Sequence, residues 1–221
     1  EIIGRTDLLS QVNKGASNLD DLDLNPLLVQ ADPGENLRYC KDRHINKVPD
    51  NIDEKIWSDI KKNINPNKKN NFNYEVENTS RSVGTRLSHY IYKTYGNNKL
   101  TDDTINIKLT GSAGQSLGAF LTKGIKLTVE GDCNDYVGKG LSGGTIIVNP
   151  SPKNKLISNE NTIIGNTVLY GATAGKLFAS GQAGERFAVR NSGATAVVEG
   201  CDSNGCEYMT GGNIVILGET G

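Results

Sequence analysis

The sequence predicts a mainly β fold: a right-handed parallel β-helix, a solenoid of stacked coils, preceded by an irregular and partly helical lead-in. Three observations favour this fold. Glycine is concentrated in one half of the chain, with five glycines in residues 1–110 and 21 in residues 111–221. Short segments that alternate apolar and polar residues recur in the same half. Their period of about 20 residues is typical of solenoids. The right-handed sense follows from the crossover rule for parallel strands.

The lead-in, residues 1–101, is polar and contains two predicted helices. Isoleucines recur at every fourth position from Ile52 to Ile64, which predicts a short helix that Pro66 terminates. A second helix is predicted over residues 79–95, with Gly96 as its natural end. The rest of the lead-in is expected to be irregular.

Residues 65–73 interrupt the lead-in and consist almost entirely of asparagine and lysine. A stretch of this composition buries little apolar area. The sequence therefore predicts a mobile surface insertion at this point.

The second predicted domain, residues 102–221, contains the repeated strands. Three segments of alternating pattern end in glycine, at residues 105–111, 125–131 and 194–200. Glycine also precedes an apolar strand at five places: Gly124, Gly144, Gly175, Gly193 and Gly212. The interval from Gly144 to Gly175 is clearly longer than the other three. It contains the polar residues 150–161, which predict a surface loop inserted in a single coil.

Glycine suits the corners of such coils for a physical reason. A corner needs a positive φ or a close backbone approach, and glycine provides both without a steric penalty. The same glycines inside helices would each cost about 1 kcal/mol. Because one coil is too small to bury its own apolar face, the stacking of neighbouring coils must provide the core.

Charge and hydropathy argue against several classes of protein. The 24 basic and 25 acidic side chains give a net charge of −1, which favours binding neither to nucleic acid nor to an anionic membrane. No apolar run approaches the roughly 18 residues that a membrane span requires. With no export signal, the expected location is the cytoplasm, or alternatively a plastid, and reduced thiols are expected for the four cysteines: Cys40, Cys133, Cys201 and Cys206.

Two glycine-rich segments resemble phosphate-binding motifs. Residues 138–143 match the dinucleotide fingerprint G-x-G-x-x-G, but an apolar strand follows Gly143 where the fingerprint requires a helix. Residues 171–176 are one position shorter than a P-loop and lack the hydroxyl residue after Lys176. We interpret both segments as solenoid turns.

The residues that could bind a metal ion are sparse. Cys201 and Cys206 lie close together in the sequence, and Cys133 is the only other cysteine in that half of the chain. A zinc or iron–sulfur site would need further ligands, and His44 and His89 both lie in the lead-in. We therefore interpret the cysteines as free structural thiols and assign no metal ligand.

Two polar groups are candidates for chemistry. Glu130, Asp132 and Asp135 cluster around one turn, where carboxylates either perform acid–base chemistry or hydrogen-bond to the backbone of the turn. Residues 185–186 and 190–191 form a polar patch in an apolar coil, which suggests ion pairs, protection of a sheet edge or a groove for a partner domain. Neither histidine lies near a nucleophile motif, and we assign no catalytic or cofactor-binding residue.

Several longer phrases in the sequence resemble the C-terminal glycine-rich (GXGXG) β-helix domain of the glutamate synthase large chain. They are long matches with few gaps, far more specific than a motif of three glycines. They comprise residues 111–120, 130–144, 184–200 and 205–212 in the second half, and residues 2–9 and 78–85 in the lead-in. The resemblance covers nearly the whole chain apart from the Asn/Lys-rich insertion.

The resemblance implies a reaction that other parts of such a protein perform. In this family an amidotransferase domain hydrolyses glutamine through an N-terminal cysteine. An FMN-bearing barrel combines the ammonia with 2-oxoglutarate and reduces the product to glutamate, and an iron–sulfur cluster relays the electrons. Residue 1 is Glu, and the four cysteines do not match the cluster-binding loop. The implied role of these residues is therefore structural, with those two domains as partners and a small NAD(P)H-oxidising subunit or domain as a further candidate partner.

Other functions compatible with the sequence are a ligand- or nucleotide-binding module, an assembly module that pairs through its coil ends, and a β-helix subunit of another oxidoreductase complex such as formylmethanofuran dehydrogenase. The lead-in and the phrase at residues 184–191 favour the glutamate synthase family.

Overall fold

The computed structural model describes residues 25–28, 49–96 and 100–221. The chain divides into two compact units, residues 1–48 and residues 49–221. In the first unit the described element is helix α1, Asn25–Leu28.

In the second unit, the described residues form two α-helices and ten strands. The helices are α2 (Ile52–Asn63) and α3 (Thr85–Tyr95). The strands are β1 (Asn70–Val76), β2 (Ile105–Ala113), β3 (Ile125–Cys133), β4 (Ser142–Asn149), β5 (Thr162–Ile164), β6 (Ala174–Ala179), β7 (Gln182–Ala183), β8 (Ser192–Val198), β9 (Gly200–Cys201) and β10 (Gly211–Ile216), with a 3₁₀ turn at Ser158–Glu160. None of the helices in the described part of the chain is long and apolar enough to cross a membrane.

The strands form a parallel sheet in which the chain returns once per coil. Strands β1, β2, β3, β4, β6, β8 and β10 pair in that order, and every pairing is parallel. The end of β3 starts a second parallel series with β5, β7 and β9. The predicted mainly β architecture of stacked parallel coils is therefore confirmed. The predicted strands at 105–111 and 125–131 lie within β2 and β3, and the third corresponds to β8.

Alternate side chains of each strand point inward and stack on the coils before and after. One inward column runs through the long strands and is at most 1% exposed over its central members: Ile107, Leu127, Ile146, Leu177 and Ala196. Complete burial of a large aliphatic side chain contributes about 1.5–3 kcal/mol. Because each column crosses several coils, stacking supplies the core that a single coil lacks.

Each coil also contains a turn with an unusual backbone, which we call the positive-φ corner. In five successive coils three alternate residues have a positive φ, at positions 116, 118 and 120 and their equivalents. This conformation costs a non-glycine residue about 1–2 kcal/mol. Hydrogen bonds between coils offset that cost: Ser116 and Phe120 donate their N–H groups to the following coil, and Gly118 donates to the preceding one.

Near the ends of β2 and β3, away from the positive-φ corner, the backbones of neighbouring coils approach too closely for any side chain. A Cβ atom at Gly131, where φ is +155°, would lie 1.9 Å from the carbonyl oxygen of Gly111. A Cβ atom at Gly111 would lie 2.1 Å from the carbonyl oxygen of Val76. The short distance between coils therefore requires glycine at both positions. The sequence repeat predicted glycines of this kind, placed where neighbouring backbones approach closely.

The two helices pack at the start of the stack. Ile56 and Ile60 of α2 and Leu87 and Ile91 of α3 are buried in the core. The prediction for α2 is confirmed, whereas α3 begins at Thr85 and not at residue 79. The reason is that residues 78–84 form the corner of the first coil, where the N–H of Ser82 donates to the carbonyl of Gln115 at 2.8 Å. Gly96 terminates α3 as predicted.

Asp53 joins the two helices. The N-cap residue of α3 is Gly84, which has no side chain to satisfy the first N–H groups of the helix. The fully buried carboxylate of Asp53 replaces it and accepts hydrogen bonds from the N–H groups of Gly84 (2.8 Å), Arg86 (2.9 Å) and Leu87 (3.3 Å). Burial raises the pKa of Asp53, and these three N–H donors act in the opposite direction.

Strand β1 differs from the sequence prediction for residues 65–73. Residues 70–73 are its first half and pair in register with β2, from Asn70 opposite Ile105 onward. Asn70 also donates its side-chain amide to the carbonyls of Asn65 and Lys68, which orders the preceding turn. The composition of the segment concealed this strand, because its polar residues lie on the outer face while Phe72 and Tyr74 pack against the core. The stacked strands thus start before residue 102.

Residues 150–161 form a loop that contains only the 3₁₀ turn, as the long interval in the repeat predicted. The loop connects β4, which belongs to the first series of strands, to β5, which belongs to the second series. Both flanking strands still pair in parallel with neighbouring coils, so the additional residues do not interrupt the stack.

We expect Gly131→Ala to destabilise the protein far more than Gly171→Ala. The first substitution places a methyl group on the carbonyl of Gly111 and should cost more than about 3 kcal/mol. Gly171 also has a positive φ, +64°, but a Cβ atom there meets no atom within 4 Å, so the cost should be about 1 kcal/mol. Urea unfolding of both variants measures the difference. Equal losses of stability would contradict the close-approach explanation.

Asp53→Ala should reduce the free energy of unfolding by about 1–3 kcal/mol, because three N–H groups at the start of α3 lose their acceptor. The matched control is Asp50→Ala, since Asp50 is exposed and lies just before the same helix. We expect this control to change stability by less than about 0.5 kcal/mol. A loss that is the same for both variants would show that the cap of α3 contributes nothing.

Candidate functional site

The glycine fingerprint at residues 138–143 lies in a coil corner. Gly138 and Gly140 have φ values of +63° and +62°. Their N–H groups donate to the carbonyls of Leu117 and Tyr170, each at 2.8 Å. Strand β4 starts at Ser142, where a dinucleotide site would have a helix. The N–H groups that would hold a pyrophosphate are therefore used to connect coils.

Phe120 covers the same corner. A Cβ atom at Gly140 would lie 2.5 Å from the Cε1 atom of Phe120, so the aromatic ring lies directly against this glycine. The ring is itself 55% exposed. Glycine at position 140 makes room for the aromatic ring of the preceding coil, which accounts for this residue of the fingerprint without a ligand.

The segment that resembles a P-loop, residues 171–176, also belongs to the stack. Gly171 is the last positive-φ residue of its corner and donates its N–H to the carbonyl of Val189 at 2.9 Å. Gly175 and Lys176 lie within strand β6. A P-loop requires a helix N-terminus after the loop, and a strand occupies that position here.

The three cysteines of the second half are free, and Cys133 stands apart from Cys201. Cys133 and Cys201 occupy the same inward column and are separated by Ile164 and Ala183 of the two intervening coils. Three strand spacings place them about 14 Å apart. Burial raises the pKa of Cys133, Cys201 and Cys206 above the ordinary value, so all three are protonated thiols near neutral pH.

Metal binding finds little support in this arrangement. Over the described ranges, with their gaps at residues 29–48 and 97–99, no three His, Cys, Asp or Glu side chains are grouped so as to hold an ion. His89 lies on the surface of α3, with its ring edge toward Tyr90 at a centroid distance of 5.8 Å. Cys40 and His44 lie outside the described residues.

Each carboxylate of the acidic turn has a structural partner. Glu130 forms an ion pair with Lys108 at 2.6 Å, across neighbouring strands. Asp132 accepts a hydrogen bond from the hydroxyl of Ser112. Asp135 accepts from the backbone N–H of Asn166 in the next coil at 2.8 Å. All three contacts join neighbouring strands or coils, whereas the sequence interpretation expected hydrogen bonds to the backbone of the turn itself.

The loop at residues 150–161 covers a cavity of about 280 Å³. The ends of β2 and β3 form its floor, with Gly111 and Gly131 side by side. Glu130 and Asp132 line one wall, but both already have the partners described above. The cavity is therefore a space beneath the loop whose charged groups are neutralised or hydrogen-bonded.

The polar patch at residues 185–191 separates into exposed corner residues and one buried side chain. Glu185, Arg186 and Arg190 are exposed. Asn191 is fully buried, where preceding coils have Leu121, Leu141 or Ala172. Its side chain accepts from the N–H groups of Gly193 and Ala194 and donates to the carbonyl of Ala194, which stabilises the turn into β8.

Two features of the lead-in, each made of side-chain contacts, leave no recognisable pattern in the sequence. The buried Asp53 follows Asn51 in an ordinary helix start, so its role in capping a distant helix leaves no local pattern. Arg86, Glu54 and Tyr90 form a small polar cluster, with Glu54 accepting from Arg86 at 2.8 Å and from Tyr90 at 2.9 Å. Both features connect α2 with α3.

The family model and the similar proteins found by comparison all point to one family. Residues 53–221 match the family model described as the GXGXG motif. The chain is 63% identical over 218 residues to the glutamate synthase [NADPH] large chain of Azospirillum brasilense. It is 47% identical to the glutamate synthase [NADH] of Schizosaccharomyces pombe and 46% identical to the ferredoxin-dependent glutamate synthase 2 of a Synechocystis strain. The resemblance inferred from the sequence motifs is confirmed.

The matches cover this chain almost completely but only a small share of each relative. They extend over 99–100% of the chain, and over 14%, 11% and 14% of the three relatives in the order given. The chain therefore spans about one-seventh or less of the proteins that it resembles. The three relatives are named for three different electron donors, so a match to this segment does not specify the donor.

We expect Cys206 to react with a thiol reagent at least about tenfold faster than Cys133 at pH 7.5, because Cys133 is buried and Cys206 is partly exposed. The raised pKa values predict that both rates increase as the pH is raised. Peptide mass spectrometry after timed alkylation distinguishes the individual cysteines. Equal rates for the two thiols would contradict the packing of the inward column around Cys133.

Proposed function

This chain belongs to the GXGXG family, and we propose that it is a structural domain of a glutamate synthase large chain that holds the catalytic domains of that protein at a fixed separation. The observation that carries the proposal is the continuous network of hydrogen bonds between coils. It uses the strand backbones and also the corner N–H groups that a ligand site would need free.

Rigidity is the property that such a role requires. Each coil is fixed by its neighbours through strand pairing, through the inward columns of side chains and through the hydrogen bonds of the positive-φ corners. Ammonia that passes between two active sites is lost to water if the sites separate. A stack that cannot bend keeps the distance between attached domains constant, and each coil contributes about 4.8 Å to its length.

The sense of the coils is part of the proposal. We infer that they turn in the right-handed sense of a right-handed parallel β-helix, since parallel strands joined by a crossover connection in one sheet adopt that hand almost without exception. The single direction of all strand pairings is consistent with one uniform sense.

The partners in this proposal are the amidotransferase and FMN-barrel domains of the same large chain. A small NAD(P)H-oxidising subunit belongs to the proposal only for relatives named for a nicotinamide donor. The 14% share of the Azospirillum relative that matches this chain leaves the greater part of such a protein for those domains.

Neither cofactor of the parent reaction fits the residues of this segment. An iron–sulfur cluster requires four thiolates at one place, whereas Cys133 and Cys201 stand three strands apart and carry protons. FMN requires donors for its phosphate, whereas the N–H groups of Gly138 and Gly140 are bonded to adjacent coils. We therefore assign no step of the reaction to these residues.

Removal of one whole coil from a full-length large chain tests the proposal. Deletion of residues 125–144 removes one repeat and shortens the stack by about 4.8 Å. We expect glutamine hydrolysis and ammonia-dependent glutamate synthesis to persist separately. Glutamate formed per glutamine hydrolysed should fall by about tenfold or more, because the two sites are misplaced.

The matched control is a deletion within residues 151–159, which shortens the surface loop and leaves the number of coils unchanged. This variant should keep the ratio of glutamate formed to glutamine hydrolysed. Retention of full coupling after the removal of a coil would disprove the spacing role, and so would turnover of glutamine or 2-oxoglutarate by the present chain alone.

A further inference from the structure

The fifth positive-φ corner, residues 204–208, differs from the four before it at one inward position. In those four corners a large apolar side chain fills this position and is fully buried: Leu117, Val137, Val168 and Phe187. The N–H of Cys206 donates to the carbonyl of Phe187 at 2.7 Å, which places Gly205 next in the series. The fifth corner therefore lacks the side chain that fills the interior of the other coils.

The sulfur atom of Cys201 occupies the space beside this glycine. Cys201 belongs to β9, lies in the inward column of that series and is 7% exposed. A Cβ atom at Gly205 would lie 3.0 Å from the Sγ atom of Cys201. The thiol of Cys201 thus reaches across the coil to the backbone of the corner, directly beside Cys206.

Cys206 is the second thiol at this place. It follows Gly205 in the corner, at the position that the buried Ala188 occupies in the preceding coil, and it packs against the hydrophobic core. Burial raises the pKa of Cys201, and the nearby thiol of Cys206 raises it further. The ionisation of Cys201 therefore responds to Cys206, as expected of two sulfur atoms that share one part of the coil interior.

We propose that Cys201 and Cys206 are a redox-active pair that closes to a disulfide within this coil. A disulfide joins two sulfur atoms about 2 Å apart, so a large apolar side chain at position 205 would keep these cysteines from meeting. Glycine at that position leaves the path between them open. Cys133 takes no part, because three strand spacings separate it from Cys201. This inference goes beyond the structural role proposed above and does not depend on it.

The oxidant of the pair is a low-molecular-weight disulfide, the class to which oxidised glutathione belongs. The more exposed Cys206 reacts first: its thiolate attacks one sulfur of the oxidant, which breaks the S–S bond and releases one small thiol. The thiolate of Cys201 then attacks the Sγ atom of Cys206 in the mixed disulfide and releases the second small thiol. The two protein thiols together lose two electrons and two protons, and the oxidant gains them. A small dithiol reverses the reaction.

Thiol mapping in a full-length large chain that contains this segment tests the pair. The native protein is incubated with oxidised glutathione at mildly alkaline pH, the remaining thiols are blocked, and the protein is digested with trypsin. No lysine or arginine follows Arg190 in this chain, so both cysteines remain in one peptide. We expect mass spectrometry to show this peptide lighter by two hydrogen atoms and without the blocking reagent, and a dithiol to restore the reducible thiols.

Gly205→Val supplies the matched variant, since it restores the side chain that Val137 and Val168 provide in earlier coils. The backbone at Gly205 lies outside the left-handed region, so valine introduces no strain of that kind. We expect the disulfide to form at least about tenfold more slowly in this variant, because the side chain occupies the space between the two sulfur atoms. In Cys201→Ser, Cys206 should accumulate as the mixed disulfide with glutathione.

Three results would overturn the inference. The first is free thiols, or a separate glutathione on each cysteine, after prolonged oxidation of the unsubstituted native protein. The second is a disulfide that forms only after denaturation. The third is an equal rate of disulfide formation in native Gly205→Val, with circular dichroism to show that the variant is folded. If this variant does not fold, the oxidation of the unsubstituted protein and of Cys201→Ser still decides the question.

Discussion

The distance between stacked backbones is the constraint on which the rest of this structure depends. At Gly111 and Gly131 neighbouring coils are so close that a Cβ atom would overlap a carbonyl oxygen. Another segment of each coil has a positive φ at alternate residues and hydrogen-bonds to the coils on both sides. Residues such as Leu169 and Ala188 accept a strained φ there because stacking compensates for it. Glycine composition, strand register and inward columns all follow from this spacing.

Most of the coil architecture could be predicted from the sequence because the repeat acts through local signals. Alternating strands and glycine corners mark each coil, and the one long interval, from Gly144 to Gly175, marks the inserted loop. Strand β1 could not be identified in this way, since it contains no glycine and its outward residues are asparagine and glutamate. The roles of Asp53 and Asn191 could not be predicted for a different reason, although Asn191 belongs to the predicted polar patch: these roles depend on backbone groups brought to them by folding or on burial in the stack.

The candidate site was predictable in a more limited sense. The sequence favoured turn glycines over a phosphate cradle at residues 138–143, and the strand after Gly143 agrees with it.

Hydrogen exchange at the corner glycines most directly tests the claim that glycine here connects coils. Gly118, Gly138 and Gly140 each donate an N–H to another coil, so their amides should exchange as slowly as the central amides of β3 in the absence of any ligand. A phosphate-cradling loop would behave differently, because its N–H groups face solvent until a nucleotide binds. Rapid exchange at Gly138 and Gly140, slowed by added FMN, NADPH or ATP, would contradict the account.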